Sequence, residues 1–429
     1  MTDNQRAAAD PVVVVGAGAA GLLAAIFAAR AAVPRGGRVI LLERTRDGGR
    51  KILISGGGRC NVLPGALDER RYFTDSSPNT LRLMLRSWPH AEQVRFFEEE
   101  VGLRLVLEEE SGKLFPASNR ARDVRDGLVA LARKAGVETR FEALLEDLMP
   151  PSEAGGPWTV VLDGGARIAA SAVVLATGGL SVPATGSDGA GLAVARRLGH
   201  TIHPTYAALT PLLADPAPYG ELSGVSLVST LEVADGGAKK PFRATGGFLF
   251  THRGYSGPTV LDCSHFAVRS RQAGGPRARI TVQWSHALDA AAWERLLGAG
   301  GTGTVANVVR RHLPDRLAAA LLAEAGIDDA RTLAQLRREE RRALVEALAR
   351  HELPWTGDEG YKKAEVTGGG VALGEVDPRT MESRRHPGLY LCGEILDAFG
   401  PIGGYNFCWA WATGRAAGMA AGAGGRPTG

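Results

Sequence analysis

The sequence has few cysteines and lacks the spacing that would let them bind zinc or exchange a disulfide. Four occur among 429 residues, and no two of them form a Cys-x-x-Cys pair. A zinc site or a redox-active disulfide of that type is therefore not indicated, and we predict no metal site. We expect Cys60, Cys263, Cys392 and Cys408 to be small packing residues.

Blocks of like charge and long apolar runs are scarce as well. The formal net charge is only +4, and the acidic triplets Glu98–Glu100 and Glu108–Glu110 are typical of solvated faces. The uncharged stretch Val12–Ala29 has the composition of a signal peptide or a membrane span, but its three spaced glycines argue against both. We therefore expect a soluble, cytoplasmic protein with no nucleic-acid or membrane partner, and the sequence leaves its oligomeric state open.

A glycine fingerprint stands near the start of the chain. Val12–Val15 predicts a buried strand, and Gly16, Gly18 and Gly21 follow it in a Gly-x-Gly-x-x-Gly pattern that opens the helical stretch Leu22–Val33. In a dinucleotide-binding unit the first glycine allows a tight turn, the second lets the backbone approach a pyrophosphate, and the third lets helix and strand pack closely. The N-terminus of the helix then offers free N–H groups to the phosphates.

A second strand with a terminal acid completes this unit. Val39–Leu42 is apolar, and Glu43 follows it about 20 residues after the last glycine, where a carboxylate accepts hydrogen bonds from ribose hydroxyls. Without that strand and acid, the three glycines would fit a turn in an ordinary α/β protein. With them, the sequence predicts a site for a dinucleotide.

Further glycine-rich segments are candidates for the same site, because they lie at strand ends or before a helix, where open α/β sheets place ligands. Gly49–Asn61 combines three consecutive glycines with three basic residues, which suits phosphates or a flat ring system but also fits a flexible surface loop. Ala176–Gly179 ends a buried strand, and Gly388–Glu394 and Gly400–Phe407 precede an apolar helix from Cys408 to Ala420. Each of these three would also fit an ordinary turn.

Changes in composition divide the chain into two domains. Proline and short strand-like runs become frequent in the middle, a helical stretch follows, and the glycine-rich, apolar character returns toward the end. We predict a nucleotide-binding domain built from 1–198 and 365–429. The inserted substrate or cap domain, 199–364, is predicted to be β-rich over 199–288 and helical over 289–353.

Local patterns also predict individual elements. They indicate helices near Thr80–Val101 and Ala121–Ala135, a strand over Glu138–Leu148, and a loop over Gly48–Asn61. The charged stretch Arg331–His351 predicts a surface helix.

Taken together, these segments resemble the HI0933-like (BaiN-like) family of FAD-dependent flavoproteins, in the two-dinucleotide-binding-domain superfamily. The resemblance rests on the fingerprint, on Gly49–Asn61 and on the Gly-Gly-Tyr-Asn ending, and it extends in collinear order to Lys113–Ser118, Phe250–Pro258 and Val366–Val371. The helical stretch Ala290–Leu353 matches only in character. The family implies an α/β fold, in which a Rossmann-like FAD-binding domain carries an inserted antiparallel β domain and a small helical cap.

The resemblance also implies which residues bind FAD. It places the pyrophosphate at the first glycine turn, the adenosine ribose at Glu43, the adenine near the backbone of Leu145, and the flavin ring at the start of the last helix. The basic glycine loop would run along the flavin side, and Gly393 and Glu394 would reach the ribitol phosphate. The implied FAD contacts are Gly16, Gly18, Ala19, Ala20, Gly21, Glu43, Arg44, Arg50, Lys51, Ser55, Gly56, Gly57, Gly58, Arg59, Cys60, Asn61, Leu145, Ala176, Thr177, Gly178, Gly393, Glu394, Gly403, Gly404, Tyr405, Asn406 and Phe407.

The chemistry expected of such a protein is hydride transfer. We predict that it reduces an activated C=C bond in a small, fairly apolar substrate, with NAD(P)H as electron donor and a side chain that protonates the α-carbon. Candidates for that acid are His252, Tyr405 and Arg59, with Tyr255 and Ser256 as further options, and His252 would also fit a structural role in its turn.

Other functions fit the same residues. No second βαβ unit with a Gly-x-Gly-x-x-Gly turn is present, so either NAD(P)H docks transiently in the substrate cleft or the electrons come from another donor. A dehydrogenase or oxidase that uses FAD in the opposite direction, or a non-enzymatic FAD-binding protein, remains an alternative. The sequence does not identify the substrate.

Overall fold

The computed structural model describes residues 10–234 and 241–424, which fall into two compact units. The first unit extends to Thr205 and resumes at Val366, and the second is Tyr206–Glu365. The first unit is therefore discontinuous in sequence, and the second is a single insertion within it.

A fully parallel five-stranded sheet lies at the centre of the first unit. Its strands, in spatial order, are Leu389–Leu391, Ala172–Leu175, Val12–Val15, Val39–Leu42 and Val137–Arg140. Four of the five are buried at every residue. A parallel sheet covered on both faces requires this, which is why these strands are unbroken apolar runs in the sequence.

The last helix, Tyr405–Gly422, packs closely on the first helix, Ala19–Ala32. A Cβ added at Gly418 would lie 2.2 Å from the carbonyl oxygen of Ala24, and the glycines one turn before and after it are equally close to the first helix. Glycine is required along this face because any side chain would push the helices apart.

Smaller elements complete the first unit. Two antiparallel sheets of three strands each are Leu63–Pro64, Lys113–Pro116 and Leu105–Glu108, and Leu145–Met149, Trp158–Leu162 and Arg167–Ala170. Strand Ile202–Ala208 carries the chain out of the unit, and Val366–Val371 brings it back. The remaining helices are Arg50–Ile54, Pro78–Arg86, His90–Arg95, Ala121–Lys134 and Ala190–Arg197.

The second unit combines an antiparallel sheet with helices. Its seven strands, in spatial order, are His351–Glu352, Arg279–Gln283, Ser226–Ala234, Phe242–Thr251, Gly254–Ser256, Leu212–Leu213 and Gly357–Asp358. Its helices are Pro258–Gln272, Ala290–Gly298, Val305–Arg310, Asp315–Glu324 and Arg338–Ala349. Trp284 and Trp293 are fully buried in its own core.

Several predicted elements have different bounds in the structure. The predicted loop Gly48–Asn61 contains the helix Arg50–Ile54, because its first half carries Ile and Leu and only its second half is glycine-rich. The helix predicted near Thr80–Val101 is broken at Pro89, which lacks an N–H and starts a new helix instead. The strand predicted over Glu138–Leu148 is two strands.

Two differences concern the second unit. The helix predicted over Arg331–His351 begins only at Arg338, where Glu340 caps it by accepting from the backbone N–H of Arg337 at 2.9 Å. The stretch predicted to be β-rich contains the helix Pro258–Gln272. It begins at a proline, which fits the first turn of a helix because its missing N–H has no partner to lose there.

No helix within residues 10–234 and 241–424 is long and apolar enough to cross a membrane. The same residues contain no group of three or more His, Cys, Asp or Glu side chains arranged to hold a metal ion.

Candidate functional site

The parallel sheet brings the predicted segments together at one edge. Gly16, Glu43 and Ala176 each come directly after one of its strands, and Gly393 follows shortly after another. Because parallel strands end at the same edge, residues that are far apart in sequence converge there.

The first turn has the geometry of a pyrophosphate site. Gly16 has a left-handed backbone with φ of +100°, and a Cβ added there would lie 2.6 Å from the carbonyl oxygen of Ala176. A Cβ at Gly21 would lie 1.7 Å from the carbonyl oxygen of Gly16, whereas one at Gly18 would meet nothing within 4 Å. No side chain caps the helix Ala19–Ala32, so its N-terminus can receive an anion at the open side of Gly18.

Glu43 is buried and held against this turn. Its carboxylate accepts hydrogen bonds from the backbone N–H of Ala17 at 2.8 Å, and from the N–H and hydroxyl of Thr45 at 2.9 and 2.8 Å. A carboxylate has about four acceptor positions, so one remains for a ribose hydroxyl. The next residue, Arg44, pairs with Asp188.

A partly buried ion pair joins the basic segment to the residues that follow strand Leu389–Leu391. The Lys51 ammonium donates to Glu394 at 2.8 Å and to the Ser181 hydroxyl at 2.7 Å. Nearby, Arg50 pairs with Asp47 at 2.8 Å, and the Ser55 hydroxyl donates to a backbone carbonyl of its own helix. The segment is thus tied to the sheet edge.

Glu394 accepts further hydrogen bonds besides the one from Lys51. The Ser181 hydroxyl donates to it at 2.6 Å, and Thr367 donates through its N–H at 3.0 Å and its hydroxyl at 2.9 Å. Burial raises the pKa of Glu394, but the charge of Lys51 and these hydrogen bonds outweigh that effect and leave the pKa below its ordinary value. The Glu394 side chain is therefore ionised at neutral pH, and its negative charge lies at this edge of the sheet.

The three consecutive glycines form a left-handed turn. Gly56, Gly57 and Gly58 have φ of 55°, 67° and 85°, and nothing lies within 4 Å of the place where a Cβ of Gly57 would stand. Arg59 follows, with its guanidinium 3.9 Å from the centre of the Phe115 ring. The backbone of this turn is therefore exposed and can lie against a flat ligand.

Arg59 and Cys60 differ in their surroundings. Arg59 is half-exposed and pairs with Glu108 at 3.0 Å. Cys60 is fully buried, and burial raises the pKa of its thiol to about 12, so that it stays protonated at neutral pH. Asn61 lies close to Gly56, where an added Cβ would be 3.2 Å from the Asn61 nitrogen.

Another part of the edge is formed by the segment after strand Ala172–Leu175. Gly178 has φ of +74°, and a Cβ there would lie 2.8 Å from the Ser187 hydroxyl. Thr177 packs on Gly191, where an added Cβ would lie 1.9 Å from the Thr177 hydroxyl. Leu145 begins a strand two residues after Ala143, whose N–H donates to the carbonyl of Glu43 at 2.9 Å.

The last helix begins with two left-handed glycines. Gly403 and Gly404 have φ of +114° and +90°, and no side chain caps the helix. The Asn406 side chain turns back to Gly400, donating to its carbonyl at 2.9 Å and accepting from its N–H at 2.8 Å. Phe407 stacks on Trp411, one turn further along the helix.

Tyr405 is buried at the start of that helix. Its hydroxyl lies 3.4 Å from both the Arg71 guanidinium and the carbonyl of Ala66, and its own carbonyl accepts from Tyr72 at 2.7 Å. The phenol is therefore held in one orientation.

Comparisons with known proteins agree with this architecture. A family model described as the HI0933-like protein Rossmann domain matches residues 10–420. Ribosomal RNA dihydrouridine synthase of Escherichia coli (strain K12) is 34% identical over 94% of this chain and 95% of its own length. The 3-dehydro-bile acid delta(4,6)-reductase of Clostridium scindens is 32% identical over 95% of this chain and 98% of its own length.

The chain belongs to the HI0933-like family. The predicted Rossmann-like fold is confirmed, and the predicted class, an FAD-dependent oxidoreductase, is confirmed at that level. A solved 3-ketosteroid delta1-dehydrogenase from Sterolibacterium denitrificans shares the fold, with a TM-score of 0.52 and 14% identity over 95% of this chain and 98% of that one.

The residues of this HI0933-like chain fit FAD. The uncapped first helix and the open space beside Gly18 suit a pyrophosphate, and Glu43 retains an acceptor for a ribose. The exposed turn at Gly57 and the uncapped last helix suit the ring. All of these features belong to the first unit.

Sequence reasoning missed several side chains that hold this site in place. Ser181 and Thr367 fix Glu394, and Phe115 supports Arg59. Thr367 and Phe115 lie in the segments Val366–Val371 and Lys113–Ser118, which the sequence marks only through their resemblance to the family. No spacing rule marks them, because their partners are distant in sequence.

His252 belongs to the second unit, apart in sequence from the other site residues. It is exposed in the turn between strands Phe242–Thr251 and Gly254–Ser256. Tyr255, in the following strand, is buried, and burial raises the pKa of its phenol above the ordinary value. Of these two residues, only His252 has a side chain that solvent can reach.

Proposed function

We propose that this protein reduces a C=C bond conjugated to a carbonyl group, with FAD as the hydride carrier and NAD(P)H as the donor. The observation that carries the proposal is the convergence of the fingerprint glycines, Glu43, Gly178 and the Lys51–Glu394 pair at one edge of the parallel sheet. The names of the two relatives support the reaction type. A dihydrouridine synthase and a 3-dehydro-bile acid delta(4,6)-reductase each saturate a C=C bond that is conjugated to a carbonyl group.

The side chains at the sheet edge would bind and orient the cofactor. In this proposal the N-terminus of Ala19–Ala32 binds the pyrophosphate and Glu43 accepts from the ribose. Lys51, held by the carboxylate of Glu394, would lie on the ribitol side, and the turn around Gly57 would lie along the ring. Bound FAD supplies hydride transfer, which none of these side chains can perform.

A proton must also reach the substrate. We assign this step to His252, with Tyr405 and Arg59 as the other candidates, because its exposed side chain is open to a substrate and a general acid needs hydrogen-bond reach of the carbon that it protonates. The His252 side chain is exposed, whereas the Tyr405 hydroxyl is held by Arg71 and Ala66.

For the substrate we retain a small, fairly apolar molecule. A second candidate is a uridine of ribosomal RNA, and the observation that favours it is the 34% identity with the Escherichia coli synthase over almost the whole chain. Both candidates contain a C=C bond conjugated to a carbonyl, so the same site would serve either.

The first test is the absorption spectrum of the purified protein, followed by anaerobic addition of NADH or NADPH. We expect bound oxidised flavin and its bleaching by one of the two nucleotides. Bleached enzyme is then mixed with a steroid enone or with ribosomal RNA that lacks dihydrouridine, and return of the flavin absorption identifies the substrate. A protein that does not take up added FAD would refute the proposal.

The acid is tested separately with His252→Gln, and with His286→Gln as a matched exposed histidine in the same unit. We expect the rate of substrate reduction to fall about 100-fold in the first variant only. The rate of bleaching by NAD(P)H should stay unchanged in both, because it requires no protonation of substrate carbon. Equal rates of substrate reduction in the two variants would move the assignment to Tyr405 or Arg59.

A further inference from the structure

Lys113 lies at the start of the last helix, although it comes from a distant strand. Its side chain runs along Gly403: a Cβ added at that glycine would be 3.4 Å from the Lys113 Cε and 3.6 Å from its Cγ. Gly404 is closer still to the neighbouring strand of the same sheet, with its Cβ position 2.4 Å from the carbonyl carbon of Leu63. The two glycines are thus held between Lys113 and strand Leu63–Pro64.

The charges around this turn do not balance. The last helix has 18 residues, no side-chain cap and no acidic residue in its first turn, so its N-terminus carries a partial positive charge. Lys113 brings a second positive charge to the same place, and among the described residues it forms no ion pair. Two like charges in one place repel each other unless an anion binds there.

A neighbouring carboxylate is already engaged. Glu108 stands opposite Lys113 in the antiparallel pair, but it accepts from Arg59 at 3.0 Å and from the Ser111 hydroxyl. The hydrogen bonds from Ser111 and Arg59 hold the pKa of Glu108 below its ordinary value. One carboxylate therefore faces two full positive charges and the end of a helix.

Reduction of FAD creates an anion that suits this arrangement. A hydride carries two electrons and one proton, so its transfer from NAD(P)H to the neutral ring leaves one negative charge on the reduced ring and releases oxidised NAD(P)⁺. We infer that Lys113, together with the N-terminus of the last helix, stabilises that charge and raises the reduction potential of the bound FAD. This inference rests on the proposed function and on the family resemblance, which implies that the flavin ring lies at the start of the last helix.

The test is the midpoint potential of bound FAD in Lys113→Met, measured by anaerobic equilibration with a reference dye. Methionine keeps an unbranched stem against Gly403 and removes the charge. We expect the reduced form to be destabilised about tenfold relative to the oxidised form, which is about 30 mV for a two-electron couple. Lys113→Arg should retain the wild-type potential.

One control variant and one substitute variant complete this test. Lys134→Met removes an exposed lysine at the end of helix Ala121–Lys134 in the same unit and should leave the potential unchanged. Lys113→Gln gives the same comparison if the methionine variant does not fold.

The failure of this inference differs from the failure of the proposed function. A Lys113→Met protein that holds FAD at the wild-type potential would overturn the inference alone. So would a variant that no longer binds oxidised FAD, because Lys113 would then hold the cofactor in both forms. A wild-type protein without FAD would instead overturn the proposed function.

Discussion

At the scale of single residues, the glycines of the first turn have two different purposes. Gly21 must be glycine because the carbonyl oxygen of Gly16 fills the place of a Cβ, whereas Gly18 has extended backbone and open space around it. The first requirement is internal packing. Packing within the fold does not explain the glycine at Gly18, and we attribute it to the approach of the pyrophosphate.

This difference predicts opposite behaviour of two alanine variants. Gly21→Ala should destabilise the protein by about 3 kcal/mol, because the turn must open to admit the methyl group. Gly18→Ala should leave the melting temperature of the FAD-free protein unchanged but weaken FAD binding at least tenfold. Thermal unfolding and the ratio of bound FAD to protein distinguish the two, and a Gly18→Ala variant with full FAD affinity would contradict the assignment of the pyrophosphate.

The sequence predicts the residues of the first turn better than it predicts the side chains that hold the site in place. Gly16, Gly21 and Glu43 follow from local rules, since strand, turn, helix and acid occupy a single continuous stretch. Ser181 and Thr367 could not be found in this way, because only the paired strands bring them to Glu394. Candidate residues with local signals are therefore predictable, and those that depend on long-range packing are not.

At the scale of elements, the contact between the first and last helices depends on a face without side chains. Gly418→Ala should destabilise the protein by about 3 kcal/mol, because its methyl group would overlap the carbonyl of Ala24. It should also reduce FAD retention, since Trp409 of the same helix donates to the carbonyl of Gly393 at 3.0 Å.

Urea unfolding and bound FAD are the measurements for this variant. Gly298→Ala is the matched control, because that glycine ends a helix and a Cβ there would approach no atom closer than 4.0 Å. Its stability should stay within about 1 kcal/mol of the wild type. Equal stability of the two variants would show that the helices separate without cost.

A second feature at the scale of elements is the carboxylate of Glu375, which fixes the loop before the last parallel strand. Glu375 accepts from His200 at 2.9 Å, from the N–H of Thr201 at 3.0 Å and from Arg385 at 2.8 Å. Burial raises the pKa of Glu375, but Arg385, Thr201 and His200 together lower it to about 2. His200 has a lowered pKa because it is itself buried, and it is neutral at pH 7.

These shifts predict a loss of stability in acid. Since the folded pKa of Glu375 lies below its unfolded value of about 4.3, its contribution is complete above that value and disappears as the pH falls toward about 2. Glu375→Gln should cost about 3 kcal/mol at pH 7 and about half of that at pH 3. Urea unfolding of both proteins at the two pH values checks this, and a difference that does not depend on pH would contradict the role of the charge.

At the scale of the whole molecule, the sequence predicts the parallel sheet but not the small sheet of Leu63–Pro64, Lys113–Pro116 and Leu105–Glu108. The buried strands of the parallel sheet are unbroken runs such as Val12–Val15, which are recognisable without context. Strands of two to four residues, such as Leu63–Pro64 and Lys113–Pro116, are too short to show alternation, so their pairing depends on tertiary contacts. The same small sheet places Lys113 at the last helix. This contact has no local signal, so the sequence marks Lys113 only as part of a family motif.

The division into two units leads to the last prediction. Every backbone and side-chain feature that suits FAD lies outside Tyr206–Glu365. Replacing that segment by a short glycine–serine linker between Thr205 and Val366 should therefore leave a protein that folds and binds one FAD. The Gly369 backbone supports such a joint, because its Cβ position lies 2.2 Å from the carbonyl oxygen of Pro204, so both ends stay close within the unit.

The shortened protein should lose substrate reduction while it retains FAD. Because we assign protonation of the substrate to His252, which is removed with the second unit, FAD reduced by dithionite should no longer be reoxidised by an enone or by ribosomal RNA. Reoxidation of the full chain under the same anaerobic conditions is the reference. Retained substrate reduction would place the acid in the first unit, at Tyr405 or Arg59, and a folded protein without FAD would mean that the inserted unit supplies contacts to the cofactor.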